Sequence, residues 1–236
     1  MSTLRPVTPT PAAPRQLALF TLALVAALLL FDASGIDMPL ARIFGDAGGF
    51  PLKSNAVLET VFHKGGRLLA WGFGLWLCVG VWWPTGVLRR LDGVARAQLA
   101  ITTLLALLAV SSLKAVSPIS CPWDLVDFGR VAPHVSHWLW PAHGDGGSGR
   151  CFPAGHASSG FAFVGGYIAF RGVAPPIARR WLWASVAAGL ILGVAQQARG
   201  AHFMSHTLWT GAICWAVALA IDAAWTRWRL PAVAFE

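Results

Sequence analysis

The sequence predicts an all-α polytopic membrane protein, a six-transmembrane-helix bundle with its active site on the periplasmic face. The 236 residues are 56% hydrophobic and only 12% charged, a composition that favours a bilayer over a water-soluble core. Six apolar runs are long enough to cross the hydrocarbon core. They occupy residues 17–34, 67–84, 97–113, 157–171, 182–198 and 207–225.

These runs divide the chain into three parts. Residues 1–16 are rich in Pro and Thr and carry no Ala-x-Ala cleavage site, which predicts a disordered cytoplasmic leader and a first span that is retained. Residues 17–225 form one membrane domain, and residues 226–236 form a cytoplasmic tail. Two Gly/Pro-rich loops, 35–66 and 115–155, are expected to cap the outer face.

The arginines predict the orientation. With the N-terminus in the cytoplasm, every inner loop carries Arg, as the positive-inside rule requires. These residues are Arg5, Arg15, Arg89, Arg90, Arg96, Arg171, Arg179, Arg180, Arg227 and Arg229. We therefore expect a protein of the bacterial inner membrane with both termini cytoplasmic. The net charge of +8 is then largely an orientation signal and gives no indication of a nucleic-acid partner.

A second group of ionisable residues lies on the predicted outer side. Three segments, 113–125, 151–160 and 199–206, meet at this face because of the alternating topology. They supply Lys114, His156, Arg199, His202 and His206. Cations at span ends that oppose the orientation rule indicate a functional site.

This combination favours phosphoryl transfer. Two cations repel a metal ion but hold an oxyanion, so we expect neither a metal nor a cofactor. Phosphoryl transfer needs charge neutralisation, an in-line nucleophile and an acid for the leaving oxygen. Lys114 and Arg199 can neutralise charge, and histidines from separate segments can fill the other roles. His156 also precedes a predicted helix, whose positive end attracts anions.

At these residues the sequence resembles the type 2 phosphatidic acid phosphatase superfamily. The family pattern is Lys, six residues, Arg-Pro; then Pro-Ser-Gly-His; then Ser-Arg, five residues, His, three residues, Asp. This chain has KAVSPISCP at 114–122, PAGH at 153–156 and GAHFMSH at 200–206. The resemblance implies a phosphatase that hydrolyses a phosphomonoester or pyrophosphate on a membrane lipid through a phosphohistidine intermediate.

The resemblance also implies roles for single residues. His202 matches the nucleophile, His156 the acid, and His206 the position of the final Asp. Lys114, Arg199 and Gly155 are implied to bind the phosphate. In a helix His202 and His206 would share one face, so that His206 can orient His202.

Four positions depart from the pattern. Cys121 replaces the first Arg, Ala154 the Ser, Gln196 the third-motif Arg and His206 the Asp. Arg199 follows Gln196 by about one helical turn and would return the guanidinium. Asp124 or Asp127 is expected to supply the missing carboxylate.

A shifted alignment stays open. It takes Arg199 as the motif Arg and His206 as the nucleophile, but it needs one extra residue and places Thr210 at the Asp position. We prefer His202.

The cysteines predict one disulfide. Cys121 and Cys151 both fall in the outer loops, whereas Cys78 and Cys214 fall inside predicted spans. An oxidising periplasm would join the outer pair. The bond would tie the first motif to the second.

Two other functions remain open. A non-catalytic pseudo-phosphatase that binds a lipid phosphate would account for the four substitutions. A rhomboid-like intramembrane protease would use a Ser159–His206 dyad, but it leaves Lys114, Arg199 and His156 unexplained. The sequence indicates neither the particular lipid nor the oligomeric state.

Overall fold

The computed structural model describes residues 14–139 and 144–229. Within them the chain is all-α, as predicted, and its only extended pairings are two isolated bridges. The helices are α1 (Pro14–Ala33), α2 (Asp37–Arg42), α3 (Gly66–Val79), α4 (Gly93–Val116), α5 (Ser158–Phe161), α6 (Gly165–Phe170), α7 (Pro175–Ala198) and α8 (Met204–Arg229). A π-helix, Leu58–Gly65, leads directly into α3, and a 3₁₀ turn, Ala162–Val164, joins α5 to α6.

Among the described residues, four helices are long and apolar enough to cross a membrane. They are the segments Arg15–Ala33, Gly93–Val116, Pro175–Ala198 and Met204–Arg227. The segment Ser158–Phe170 is apolar but shorter, and α3 spans only about 21 Å of a hydrocarbon core of about 30 Å. The four long helices fit a membrane protein, whereas the count of six crossings stays a prediction.

Small residues bring the helices into close contact. Helix α4 packs along α8, and α7 packs against α5, α6 and α8. A Cβ atom at Gly160 would clash with the backbone of Gly189, and one at Gly193 would clash with Thr207. Glycine at these positions allows α7 to approach both α5 and α8 at backbone distance.

The ends of α4 follow from local chemistry. The Asp92 side chain accepts a hydrogen bond from the Ala95 N–H at 2.7 Å and caps the first turn. The helix ends at Val116, immediately before Ser117-Pro118, because a residue preceding proline disfavours the α conformation. Lys114 therefore lies in the last turn of α4.

The loops at this end form a separate small core. Its buried residues are Ala41, Phe50, Leu125, Phe128, Ala132 and Phe203. The α7–α8 turn contains Gly200 at φ +77°, where a Cβ would also clash with Phe50. Glycine allows both the positive φ and the close approach of Phe50 at this position. The turn carries Arg199 and His202. The α3–α4 and α6–α7 connections lie at the opposite end of the bundle, and these connections and the first turns of α7 carry Arg89, Arg90, Arg171, Arg179 and Arg180.

Both predicted terminal segments extend beyond the described residues. Residues 1–13 of the leader lie outside them, and α1 already begins at Pro14. In the tail, α8 continues to Arg229, and residues 230–236 lie outside.

Candidate active site

The three predicted motif segments meet at one end of the bundle. Lys114 comes from the end of α4, Gly155 and His156 from the loop before α5, and Arg199 from the end of α7. A Cβ atom at Gly155 would lie 3.2 Å from Cδ of Lys114. The first and second motifs are therefore in contact.

His202 is buried and held in one tautomer. Its side chain is only 3% exposed, and its Nδ1 lies 2.8 Å from the carbonyl oxygen of Cys151. Since a carbonyl can only accept, Nδ1 must carry the proton and Nε2 is left with a lone pair. Burial, followed by the charges of Lys114, His206 and His156, holds the pKa of His202 well below its usual 6.5. The imidazole is neutral and can serve as a nucleophile.

His206 shares the same acceptor but faces elsewhere. Its Nδ1 lies 3.0 Å from the Cys151 carbonyl oxygen, and its ring centroid lies 6.0 Å from that of His202. His202 precedes α8, which begins at Met204. The prediction that His202 and His206 form an i, i+4 pair on one helix is therefore wrong. His206 instead lines a cavity of about 100 Å³ together with Asp32 and His137.

The expectation that Asp124 or Asp127 supplies the missing carboxylate is wrong. Asp124 accepts a hydrogen bond from the Ser148 hydroxyl at 2.6 Å. Asp127 forms an ion pair with Arg42 at 3.0 Å. Both acids are engaged elsewhere, by Ser148 and by Arg42 of α2, and the Cys151 carbonyl is the acceptor that His202 meets instead.

His156 lies against a histidine from the α3 side. The ring centroids of His156 and His63 are 3.9 Å apart. Burial lowers the pKa of His156 to about 3, helped by the charges of His63, Lys114, Arg199 and Arg67. Burial, with Arg199 and Arg67 adding to it, also lowers the pKa of His63. Such a concentration of positive charge favours a bound anion.

His63 and Arg67 were not assigned to the site from the sequence. His63 lies in the π-helix, an element that often marks functional positions. The available signal was FHKGGR at 62–67, a basic segment directly before a predicted span on the outer side.

Arg199 lies against Gln196, the residue that replaces the motif arginine. It is 9% exposed, and its Nη1 donates to Oε1 of Gln196 at 3.3 Å. Its Nε donates to the carbonyl oxygen of Lys53 at 3.0 Å. A guanidinium has five N–H donors, so further donors remain for a phosphate oxygen.

Lys114 and the disulfide connect the first two motifs. Lys114 Nζ donates to the carbonyl oxygen of Arg150, and Cys121 is bonded to Cys151 with an Sγ–Sγ distance of 2.16 Å. Potential metal-ligating atoms of Cys151, His202 and His206 lie within 4.8 Å of one another. Because the Cys151 sulfur is in the disulfide, it cannot act as a thiolate ligand, and two imidazoles remain.

The motif geometry agrees with a family comparison. A model of the PAP2 superfamily matches residues 96–229, which is more than half of the chain. The chain belongs to the PAP2 superfamily. No curated protein and no solved structure matches it. PAP2 proteins are phosphatases, so membership supports hydrolysis of a phosphoric ester.

The PAP2 region does not contain all of the charges that act on His156. All three motif segments fall within residues 96–229, whereas His63 and Arg67 precede that region. The α3 side therefore adds charges to the PAP2 site that come from outside the matched residues.

A large apolar cavity adjoins the PAP2 motifs. Its volume is about 770 Å³, and helices α3, α5 and α7 and the 3₁₀ turn after α5 contribute to its wall. Gly66 and Ser159 line it at the site end, next to Arg67 and near His156, and Ile177 and Arg180 line it at the other end. From Leu192 to Ile177 it follows α7 for roughly 22 Å.

The alternative protease dyad finds no support in this arrangement. Ser159 lines the large apolar cavity, whereas His206 lines the small one beside Asp32. A serine nucleophile needs the imidazole as its hydrogen-bond partner, and among the described residues no hydrogen bond joins Ser159 to His206.

Proposed function

We propose that this protein is a membrane phosphatase that removes phosphate from a lipid phosphomonoester or pyrophosphate, through a phosphohistidine intermediate at His202. The observation that carries the proposal is the state of His202. A buried neutral imidazole, with Nδ1 bound and Nε2 free, adjoins a basic cluster formed by Lys114, His156 and Arg199. This combination supplies a nucleophile and a phosphate-binding surface at one place.

In the first step, Nε2 of His202 attacks phosphorus and forms a P–N bond. The bond between phosphorus and the leaving oxygen breaks, and His156 donates its proton to that oxygen. Lys114 and Arg199 bind the equatorial oxygens, where charge accumulates. The free enzyme holds His156 unprotonated at neutral pH, and the negative charge of a bound phosphate raises its pKa so that it can act as an acid.

In the second step, water attacks the phosphohistidine. His156, now neutral, accepts the proton of the attacking water. The P–N bond breaks, His202 recovers its lone pair, and inorganic phosphate leaves. His202 is again neutral, and His156 releases its proton to solvent once the phosphate that raised its pKa has left.

Two features favour a lipid substrate at the outer face. The apolar cavity of about 770 Å³ reaches the site at Gly66 and Ser159, and it would hold a hydrocarbon chain whose phosphate meets the basic cluster. The arginine-rich connections lie at the opposite end of the bundle, which by the positive-inside rule is the cytoplasmic end. The site then faces the periplasm.

The direct test is phosphate release by the purified protein in vesicles that contain a phosphorylated lipid. We expect release that vanadate inhibits and that a serine-directed fluorophosphonate does not affect. Retention of intact lipid phosphate without release would favour the non-catalytic alternative. Sensitivity to the fluorophosphonate would favour the protease.

A further inference from the structure

We infer that the backbone carbonyl of Cys151, fixed by the Cys121–Cys151 disulfide, is the positioning group for His202 and replaces the carboxylate that the resemblance led us to expect. The inference rests on the proposed function. It explains two departures from the family pattern together. Cys121 anchors Cys151 through the disulfide, and the Cys151 carbonyl then replaces the carboxylate that is lost at His206.

The carbonyl has the capacity for this role. A carbonyl oxygen has two lone pairs, and here one accepts from Nδ1 of His202 at 2.8 Å and the other from Nδ1 of His206 at 3.0 Å. Cys151 is fully buried, and the two histidines are 3% and 1% exposed. Water therefore has little access to these donors, and each would lose its partner if the carbonyl turned away.

Three tethers fix the direction of this carbonyl. The N–H of Cys151 donates to the Ile119 carbonyl at 2.9 Å, and that of Arg150 donates to the Ser117 carbonyl at 2.7 Å. The third tether is the disulfide to Cys121. Cys121 occupies the position of a family arginine, so its substitution supplies the covalent attachment.

The replacement has a chemical consequence. The charged and titratable groups that act on His202 are Lys114, His206 and His156, and all of them oppose its protonation. A neutral carbonyl holds the tautomer but favours the imidazolium less than a carboxylate would. His202 consequently stays neutral, and nucleophilic, to lower pH than a histidine paired with Asp.

The first experiment reads the tautomer directly. In the full chain with ¹⁵N-labelled histidine, in detergent micelles at neutral pH, we expect His202 to carry its proton on Nδ1. The His202→Gln variant assigns the signal. In Cys121→Ser/Cys151→Ser the same residue should lose this preference and exchange between tautomers. A proton on Nε2 of His202 in the disulfide-bonded protein would overturn the inference.

The second experiment compares acceptors through activity. His206→Asp introduces the family carboxylate, and we expect the acidic limb of the kcat/KM profile to move up by about one pH unit because a carboxylate favours the imidazolium. His206→Asn is the matched neutral control and should leave that limb in place. If the acidic limb of the kcat/KM profile lies at the same pH in both variants, the inference is contradicted.

The third experiment removes the Cys121–Cys151 disulfide. Cys121→Ser/Cys151→Ser should lower kcat by about 10- to 100-fold, as expected for a displaced catalytic group, with KM changed less than about twofold. Adding His206→Asp should recover part of kcat. A serine variant with the parent kcat, or no recovery, would refute the role of the disulfide. If the serine variant does not fold, two measurements still test the inference. They are the tautomer of His202 in the parent protein and the comparison of His206→Asp with His206→Asn.

These outcomes separate the two proposals. A parent protein without phosphatase activity but with Nδ1–H on His202 would end the proposed function and leave the positioning intact. An active parent protein with the proton on Nε2 of His202 would leave the proposed function intact and end the positioning role of the Cys151 carbonyl.

Discussion

The imidazole rings of His63 and His156 stack with their centroids 3.9 Å apart. His63 belongs to the π-helix before α3, whereas His156 precedes α5 on the other side of the site. The contact places a second imidazole against the proposed general acid, and the charge of Arg67 also lowers the pKa of His156. We therefore expect His156 to act as an acid only when the negative charge of a bound phosphate offsets these charges.

His156→Ala should separate substrates by their leaving groups. A lipid alkoxide needs a proton as it leaves, and loss of a general acid costs about 10²- to 10⁴-fold. p-Nitrophenolate leaves without protonation, so the variant should still form phosphoenzyme with p-nitrophenyl phosphate. The check is the ratio of kcat/KM for the two substrates in variant and parent. An equal loss on both would contradict the role of His156.

Stability should fall as the solution becomes acidic. Unfolded histidine binds a proton near pH 6.5, whereas folded His156 binds one only near pH 3. Between these values the unfolded state holds more protons, so the free energy of unfolding decreases with falling pH by at most about 1.4 kcal/mol per unit for each such histidine. Thermal unfolding in detergent between about pH 8 and about pH 4 tests this. His156→Gln should flatten the profile, and equal slopes in variant and parent would contradict the assignment.

Arg199→Lys should impair the enzyme more than a surface exchange does. An ammonium cannot reproduce the guanidinium fork, and loss of one oxyanion donor costs roughly 10²-fold in kcat. Arg130→Lys, on the exposed side of the same end of the bundle, is the matched control and should keep the parent kcat. Steady-state kinetics on one lipid phosphate measures both. A fully active Arg199→Lys would remove Arg199 from the site.

The proposed orientation places both termini in the cytoplasm and residues 115–155 in the periplasm. Reporter fusions after residues 90, 145 and 230 should be periplasmic only at 145. The reason is the placement of Arg89 and Arg90 in an inner connection. A periplasmic reporter at residue 90 would reverse the orientation.

Local sequence signals predicted much of the fold. Each predicted apolar run contains a helix. These helices could be predicted because length and hydropathy can be taken from one continuous segment of sequence. The alternating topology predicted which segments meet, since Lys114, His156 and Arg199 all fall at helix ends on one side. Those signals were too coarse to show that α3 and the segment 158–170 are shorter than the four long helices α1, α4, α7 and α8.

The rest of the site depended on contacts that have no sequence signature. The acceptor for His202 is a backbone carbonyl, and every residue has one. Asp124 and Asp127 carried the right functional group but are bound to Ser148 and Arg42. His63 reaches His156 only because the π-helix and α3 pack beside α5 and α7.

The central claim is that His202 is the nucleophile, and the most direct measurement is of the covalent intermediate. Protein mixed with a ³²P-labelled phosphoester and quenched in base should carry a label that is stable to base and lost in acid, as a phosphohistidine is. His202→Ala should abolish this label and reduce turnover by at least about 10³-fold, whereas His206→Ala should still be labelled. A labelled, fully active His202→Ala together with an unlabelled, inactive His206→Ala would contradict the account and make His206 the nucleophile.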